Sequence, residues 1–233
     1  MSYLDELNAA QRSAVEYNDG PQLVIAGAGS GKTRVLTYKI AYLLEHGIHA
    51  GNILALTFTN KAAREMQTRI STQVGQQSAS QLWMGTFHSI FCRILRYEAD
   101  RIGFQSDFTI YDAADSKTLV TALIKEMGLD EKVYKPSHVC SQISRAKNAL
   151  VLPSQYSASA QLRQADNAAR MPMIHEIYAR YYARCRMANA MDFDDILLYT
   201  WQLLNEHPDV TERYASRFRY VLVDEDQDTN YAQ

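Results

Sequence analysis

Along roughly the first hundred residues, short apolar runs alternate with stretches whose apolar positions recur every three or four residues. Runs of strand length stand at 22–26 (QLVIA), 52–58 (NILALTF) and 81–87 (QLWMGTF). Each leads into a helical pattern: KTRVLTYKIAYLLEHG with Gly47 at its stop, NKAAREMQTRISTQV with Asn60 as N-cap, and HSIFCRILRYEADRIG. Strand–helix alternation at this spacing predicts right-handed βαβ units and a parallel sheet. From about residue 109 the rhythm changes. DAADSKTLVTALIKEMG, KPSHVCSQISRAKNAL and NAARMPMIHEIYARYYARCRMANA carry helical periodicity with no clear strand between them, and the polar text at 153–169 fits a connector or short helix. The strand signal returns at RYVLVDE. The expectation is an α/β fold: a parallel sheet flanked by helices, interrupted by an all-helical insertion, with boundaries at 1–108, 109–190 and 191–233.

At 233 residues, 47% hydrophobic and 21% charged, the chain can bury a sizeable core and is not expected to be disordered. Charge alters the picture more than composition does. The formal net charge is -2, yet residues 132–186 hold nine basic side chains (Lys132, Lys135, Arg145, Lys147, Arg163, Arg170, Arg180, Arg184, Arg186) against two acidic ones (Asp166, Glu176), a local excess of seven. Such a stretch reads either as solvated helix faces or as a surface that meets phosphates. Cys92, Cys140 and Cys185 lie far apart without metal-ligand spacing, which fits reduced thiols and gives zinc or an iron–sulfur cluster no ligand set. The amino terminus is acidic and amphipathic, unlike a signal peptide, and no apolar run is long enough to span a bilayer. These features predict a soluble, cytoplasmic protein without membrane association.

Candidate chemistry concentrates in two places. Ala26 to Thr33 (AGAGSGKT) follows a predicted strand and opens a predicted helix, the setting of a phosphate-binding loop. Gly27, Gly29 and Gly31 permit the tight turn that points successive N–H groups at a phosphate, and the helix N-terminus adds partial positive charge. Lys32 is placed to reach the β- and γ-phosphates of ATP, and the Thr33 hydroxyl to ligate Mg²⁺. The loop departs from the strict GxxxxGK[ST] pattern in having Ala26 first. Near the other end, four acids crowd into the five residues from Asp224 to Asp228, directly after the apolar run YVLV. A strand ending in Asp can hold the Mg²⁺ shell, and a following Glu can polarise an attacking water, so Asp224 and Glu225 read as the second half of an ATP site.

Around these motifs stand LNAAQRSAV (7–15), ALTFTNKAAREM (55–66), GTFHSI (85–90), MDFDDIL (191–197) and VDEDQDTN (223–230). Their order and spacing closely resemble the N-terminal half of superfamily 1A DNA helicases of the UvrD/Rep/PcrA type, over essentially all 233 residues. The resemblance implies a RecA-like P-loop NTPase domain, with ATP and Mg²⁺ as cofactors. By position it implies that Gln11 reads the adenine edge, that Ala26, Gly27, Ala28, Gly29, Ser30, Gly31, Lys32 and Thr33 cradle the nucleotide, and that Arg34 lies close by. Lys32, Asp224, Glu225 and Gln227 then serve catalysis, with Thr33 and Asp224 on the metal. Phe58, Thr59, Asn60 and Lys61 match one DNA-contacting motif; Thr86, Phe87 and His88 match the next. On the residues alone, Phe58 and Phe87 also suit a core position, and His88 a helix start. Asp192 to Asp195 match an acidic segment where the helical insertion rejoins the first domain, and the basic insertion is expected to lie over the DNA path.

The implied activity is ATP-dependent unwinding of DNA in the 3′-to-5′ direction, stimulated by single-stranded DNA. Its partners would be single strands, junctions of single- and double-stranded DNA, and proteins of repair or replication. The family also uses a second RecA-like domain that brings arginines to the γ-phosphate. Without it, this stretch is expected to bind nucleotide but to be a very weak ATPase. Two other readings stand beside this one: a helicase–nuclease subunit of the AddA/RecB sort, and a module that binds ATP or single-stranded DNA without hydrolysis. Asp226 is a departure, since the family carries an aromatic there.

Overall fold

A computed structural model of the chain describes residues 3–27 and 29–225. In chain order its elements are α1 (Ala9–Glu16), α2 (Lys32–Glu45), β1 (Ile53–Thr57), α3 (Asn60–Val74), α4 (Gln76–Gln81), β2 (Trp83–Thr86) and α5 (Phe87–Tyr97). There follow β3 (Thr109–Tyr111), α6 (Ala113–Glu126), α7 (Pro136–Asn148), α8 (Pro153–Ala158), α9 (Ala160–Ala168), α10 (Ile174–Met187) and β4 (Ala190–Asp192). The last are α11 (Phe193–Glu206), α12 (Pro208–Arg217) and β5 (Tyr220–Val223). The chain divides into two compact units, one from residues 3–90 and 209–225, the other Phe91–Pro208. No helix among the described residues is long and apolar enough to cross a membrane.

The first unit is built on a parallel sheet of order β2-β1-β5. The central strand β1 is buried at all five positions, as the continuous apolar run ILALT requires of a strand covered on both faces. Ile40 and Leu43 of α2, Met66 and Ile70 of α3, and Ala79 and Leu82 pack with Ile53 and Ala55 into one core. The stop read at Gly47 is present: α2 ends at Glu45, Gly47 takes a left-handed φ of 80°, and the Ile48 amide donates to the Leu43 carbonyl. The N-cap of α3 is Thr59, whose Oγ1 accepts from the Ala62 amide at 3.1 Å, not Asn60 as expected. A hydroxyl one residue earlier is an equally good acceptor, and only the backbone path decides between them.

The strand expected at 22–26 is not formed. Residues 21–27 have no regular structure, and Leu23, Val24 and Ile25 are 73%, 40% and 89% exposed. A strand needs a ladder partner, and the nearest edge, β5, is held away: a cavity of about 390 Å³ opens between Tyr17–Gln22 and Tyr220–Leu222.

In the second unit, two short strands pair in parallel, Tyr111 standing opposite Asp192. The stretch expected to be all-helical therefore begins and ends in strand, three residues long each time, too short to show a period. Between them the described elements are helices, packed around Val120, Ile124, Val139, Ile143, Ile174, Ile177 and Tyr178. Both strands lead into helices in the same way. Asp112 caps α6 with Asp115 as its reciprocal partner, and Asp192 caps α11 with Asp195.

The second of these caps carries a buried charge cluster. Lys147, 1% exposed, sets its Nζ 2.6 Å from Asp192 Oδ2 and 2.7 Å from Asp195 Oδ1, and Tyr181 Oη donates to the same Asp192 oxygen. Burial opposes the charge on Lys147, but the two carboxylates outweigh it and raise its pKa. Burial pushes Asp195 up to about 7 against the pull of Lys147, while for Asp192 the lysine and its hydrogen bonds overcome burial and hold it below the ordinary range. Two acids thus share one cation.

The cluster also revises the basic stretch. Lys147 is internal; Arg186 lies over Phe104, Tyr182 and Tyr199 and donates to the Ile102 carbonyl; Arg180 pairs with Glu176 and Arg184 with Glu126. Much of the local excess is therefore committed within the fold.

Lys147→Met leaves two buried carboxylates facing each other, a loss of about 3–5 kcal/mol near pH 7. Both acids then bind a proton more tightly folded than unfolded, so the loss shrinks as pH falls toward the unfolded carboxylate range near about 4. Urea denaturation of wild type and variant at about pH 7.5 and about pH 5.5 measures it. A loss that grows on acidification contradicts the shared-cation arrangement.

Candidate nucleotide-binding site

Because β1, β2 and β5 run parallel, their carboxyl ends lie together, with Thr57 beside Thr86 and Leu56 beside Val223. Crevices outside the carboxyl ends of such strands are where ligands bind in open α/β sheets. Here the hydrogen-bond ladder runs one residue beyond β5, the Asp224 amide donating to the Leu56 carbonyl at 2.9 Å. That bond brings Asp224 to the start of α2, where Thr33 Oγ1 donates to Asp224 Oδ2 at 3.4 Å, between residues 191 apart in sequence.

The loop leading to α2 is shaped by glycine where the backbone demands it. Gly29 and Gly31 have φ of 74° and 87°, and Gly31 is the N-cap of α2. Ser30 folds its amide and its hydroxyl onto the Gly27 carbonyl at 3.2 and 2.6 Å. Lys32 Nζ donates to the carbonyls of Ala26 and Gly27 at 3.0 and 3.3 Å, so the ammonium sits inside the loop it is expected to serve. Gln11 reaches the same loop from α1, its Nε2 donating to the Ser30 carbonyl at 2.9 Å. The other end of that amide accepts from the Asn8 amide, and Asn8 Oδ1 accepts from the Gln11 amide, a capping box that fixes the start of α1. Arg34 is exposed in the first turn of α2.

Asp224 is buried and its pKa is raised, first by burial and then by the neighbouring charge of Glu225, against the hydrogen bond from Thr33 and the charge of Lys32. Glu225 has a left-handed φ of 61°, unusual for a residue with a side chain and costing about 1–3 kcal/mol. A buried carboxylate facing a threonine hydroxyl is a set of hard oxygen donors of the kind Mg²⁺ takes. The residues present therefore fit a divalent cation shared by Thr33 and Asp224.

The two strand-exit motifs stand at the same end of the sheet. Thr59, Asn60 and Lys61 are exposed at the N-terminus of α3, a suitable neighbour for phosphate. Phe58 is half-buried against Phe87, ring centroids 5.2 Å apart, and Phe87 is only 3% exposed. Thr86 is buried, its Oγ1 accepting from the Ser89 amide to cap the start of α5, and His88 is half-buried. The structure thus gathers Gln11, Lys32, Thr33, Asp224 and Glu225 near one loop, and leaves Thr59–Lys61 outward and Thr86–Phe87 inward. Asp192 and Asp195 belong to the ion cluster of the second unit, and Asp194 accepts from Asn148 Nδ2 at 2.8 Å. Ala28, Asp226 and Gln227 lie outside the described residues. Sequence reading missed Lys147 and the left-handed Glu225. For Lys147 the signal available was a lysine on the apolar stripe of α7, in line with Val139 and Ile143.

Comparison with known proteins covers the same motifs. The family model for the UvrD/REP helicase N-terminal domain matches residues 7–233. ATP-dependent DNA helicase PcrA of Staphylococcus aureus is 45% identical over 231 residues, which are 99% of this chain and 31% of that protein. ATP-dependent DNA helicase UvrD1 of Mycobacterium tuberculosis is 47% identical over 232 residues, 99% of this chain and 30% of that protein. The chain thus spans less than a third of the length of these relatives. The match runs unbroken from the cap of α1, through the glycine loop, to the carboxylates after β5, and with it the chain belongs to the UvrD/REP helicase N-terminal domain family.

Proposed function

We propose that the chain is the ATP-binding part of an ATP-dependent DNA helicase that moves 3′ to 5′ and whose hydrolysis is stimulated by single-stranded DNA. The observation that carries the reading is the hydrogen bond between Thr33 and Asp224 at the mouth of the glycine loop, since it joins the two sequence motifs an ATP site requires. Family membership and the names of the relatives support DNA as the substrate. In this reading residues 1–108 and 191–233 form the RecA-like domain and 109–190 a helical insertion. The protein acts in the cytoplasm on single strands and strand junctions, with repair or replication proteins as partners.

The roles are those the family resemblance implies, and the contacts around the loop support them. Lys32 exchanges the carbonyls of Ala26 and Gly27 for β- and γ-phosphate oxygens, trading neutral acceptors for charged ones. Amides at the start of α2 and the helix dipole hold the same phosphates, and Gln11 sits where an adenine edge would meet it. Thr33 and Asp224 would hold Mg²⁺, which when bound would offset phosphate charge. Glu225 orients the attacking water, and Gln227 senses the γ-phosphate.

Calorimetric titration of the chain with MgATP tests the site. Lys32→Ala should weaken binding by about tenfold or more, the equivalent of one lost charge-assisted contact. Glu225→Gln should leave binding within about twofold while removing DNA-stimulated phosphate release. Equal affinity of wild type and Lys32→Ala would overturn the assignment.

A separate expectation concerns DNA. The basic side chains left exposed in the helical stretch include Lys132, Lys135, Arg145 and Arg170. Replacing them with glutamine should weaken single-stranded DNA equally for different sequences and flatten the salt dependence by about 0.7 in slope per lost contact. A sequence-dependent loss in fluorescence anisotropy counts against this surface.

A further inference from the structure

Lys39 has no role in the chemistry above, yet it is 6% exposed on α2, seven positions beyond Lys32. Its ammonium donates to the Val15 carbonyl at 3.0 Å and to the Tyr17 carbonyl. These are carbonyls at the carboxyl end of α1, where a helix lacks intrahelical donors and carries partial negative charge. Burial lowers the pKa of Lys39, and no carboxylate among the described residues counters it. A buried ammonium with only carbonyls to answer it is a costly way to fill space; methionine would fill it without the desolvation. The contact therefore invites a reason beyond packing.

The reason lies at the other end of α1. This helix is eight residues long and buries only Val15, so neither its length nor its apolar face holds it firmly. Its first turn carries Gln11, which donates to Ser30 in the phosphate loop. The loop in turn opens α2, which carries Lys39. The two helices are thus tied at both ends, by Gln11 to Ser30 near the nucleotide and by Lys39 to Val15 and Tyr17 farther away. Gly31 leaves room for this contact: a Cβ there would lie 3.0 Å from Gln11 Nε2.

We propose that Lys39 is a positioning residue for base recognition: by holding the carboxyl end of α1 on α2, it sets the distance of Gln11 from the phosphate loop and thereby the preference for adenine nucleotides. The inference rests on the reading of Gln11 as the residue that meets adenine. The basic group has to be long enough to cross from α2 to α1 and able to donate to two carbonyls at once. Lysine does both, and arginine does too.

The test is titration of the chain with MgATP and MgGTP. Gln11→Ala should lower the ATP-to-GTP affinity ratio. Lys39→Met should lower it in the same direction, by about tenfold, with GTP affinity held within about twofold. Lys39→Arg should restore it, and Gln11→Ala combined with Lys39→Met should lose no more than Gln11→Ala alone. If Gln11→Ala lowers the ratio but Lys39→Met reduces ATP and GTP alike, or only lowers the melting temperature, the positioning role is wrong. If Gln11→Ala leaves the ratio unchanged, the adenine reading beneath it fails as well. Should Lys39→Met not fold, hydrogen exchange of the unmodified chain decides: MgATP slows the amides of α1 together with those of α2, whereas MgGTP slows α2 alone. An α1 indifferent to both nucleotides overturns the proposal.

Discussion

The parallel register of β5 against β1 is the constraint on which the site depends. Leu56 faces Val223, and the ladder continues to the Asp224 amide. In a strand successive side chains point to opposite faces, so a slip of one residue would turn Asp224 away from Thr33 and bring Val223 toward the loop. The register is set by the two faces of β5: Tyr220 and Leu222 pack against the core that α2 and α3 form with β1, while Val221 is 55% exposed. A hydrophobic core several residues away thus fixes a polar contact of a few ångströms. Asp224 can be buried and raised in pKa without disturbing that contact, because its backbone is already committed to the sheet.

The second unit solves a similar problem with charge. Its two strands are only three residues long and could not hold register by burial alone. Instead each leads into a helix capped by an aspartate, and Asp192 is also tied to Lys147 of α7 and Tyr181 of α10. Such a cluster adds little net stability over a well-packed apolar one, since desolvation offsets most of the attraction. What it does supply is one arrangement: β4, α7, α10 and α11 meet correctly only when Lys147 and Tyr181 find one carboxylate pair. The acidic text MDFDDIL owes its character to this junction, whatever its part in a larger machine.

Much of the site was legible because its signals are local. The glycine loop, the lysine that follows and the apolar run before Asp224 each sit within about a dozen residues, and the backbone chemistry of each admits few alternatives. The mixed helix and strand architecture with parallel pairing was legible for the same reason, from runs such as ILALT. What escaped depends on partners remote in sequence. QLVIA has the composition of a buried strand, but hydrogen-bonded strand also needs a neighbour at the right distance, and that is not written in five residues. The nine basic residues count equally in a charge sum, yet Lys147 and Arg186 face inward and only the tertiary fold reveals it. Phe87 was open to either reading, base platform or core, and its place beside Phe58 under the sheet edge is again a long-range fact.

The loop as found also bears on how a nucleotide would enter it. Lys32 is not swung out toward solvent but bonded to Ala26 and Gly27, the two carbonyls at the loop's own threshold. The ammonium therefore answers carbonyl dipoles that would repel an incoming phosphate. An arriving phosphate offers charged acceptors, about twice as strong as the neutral ones they displace. Gly29 and Gly31, on either side of Ser30, hold left-handed backbone in the loop that would receive the phosphate. Across the gap, Asp224 and Glu225 place two acids side by side, one buried and the other in a strained backbone, and the charge of Glu225 raises the cost of charging Asp224. In the proposed site, Thr33 and Asp224 would hold a cation that relieves that repulsion just where the phosphates would add more negative charge. On that reading nucleotide and metal would favour one another: the anion would draw Lys32 out of the loop, and the cation would answer the carboxylates that would otherwise oppose the anion.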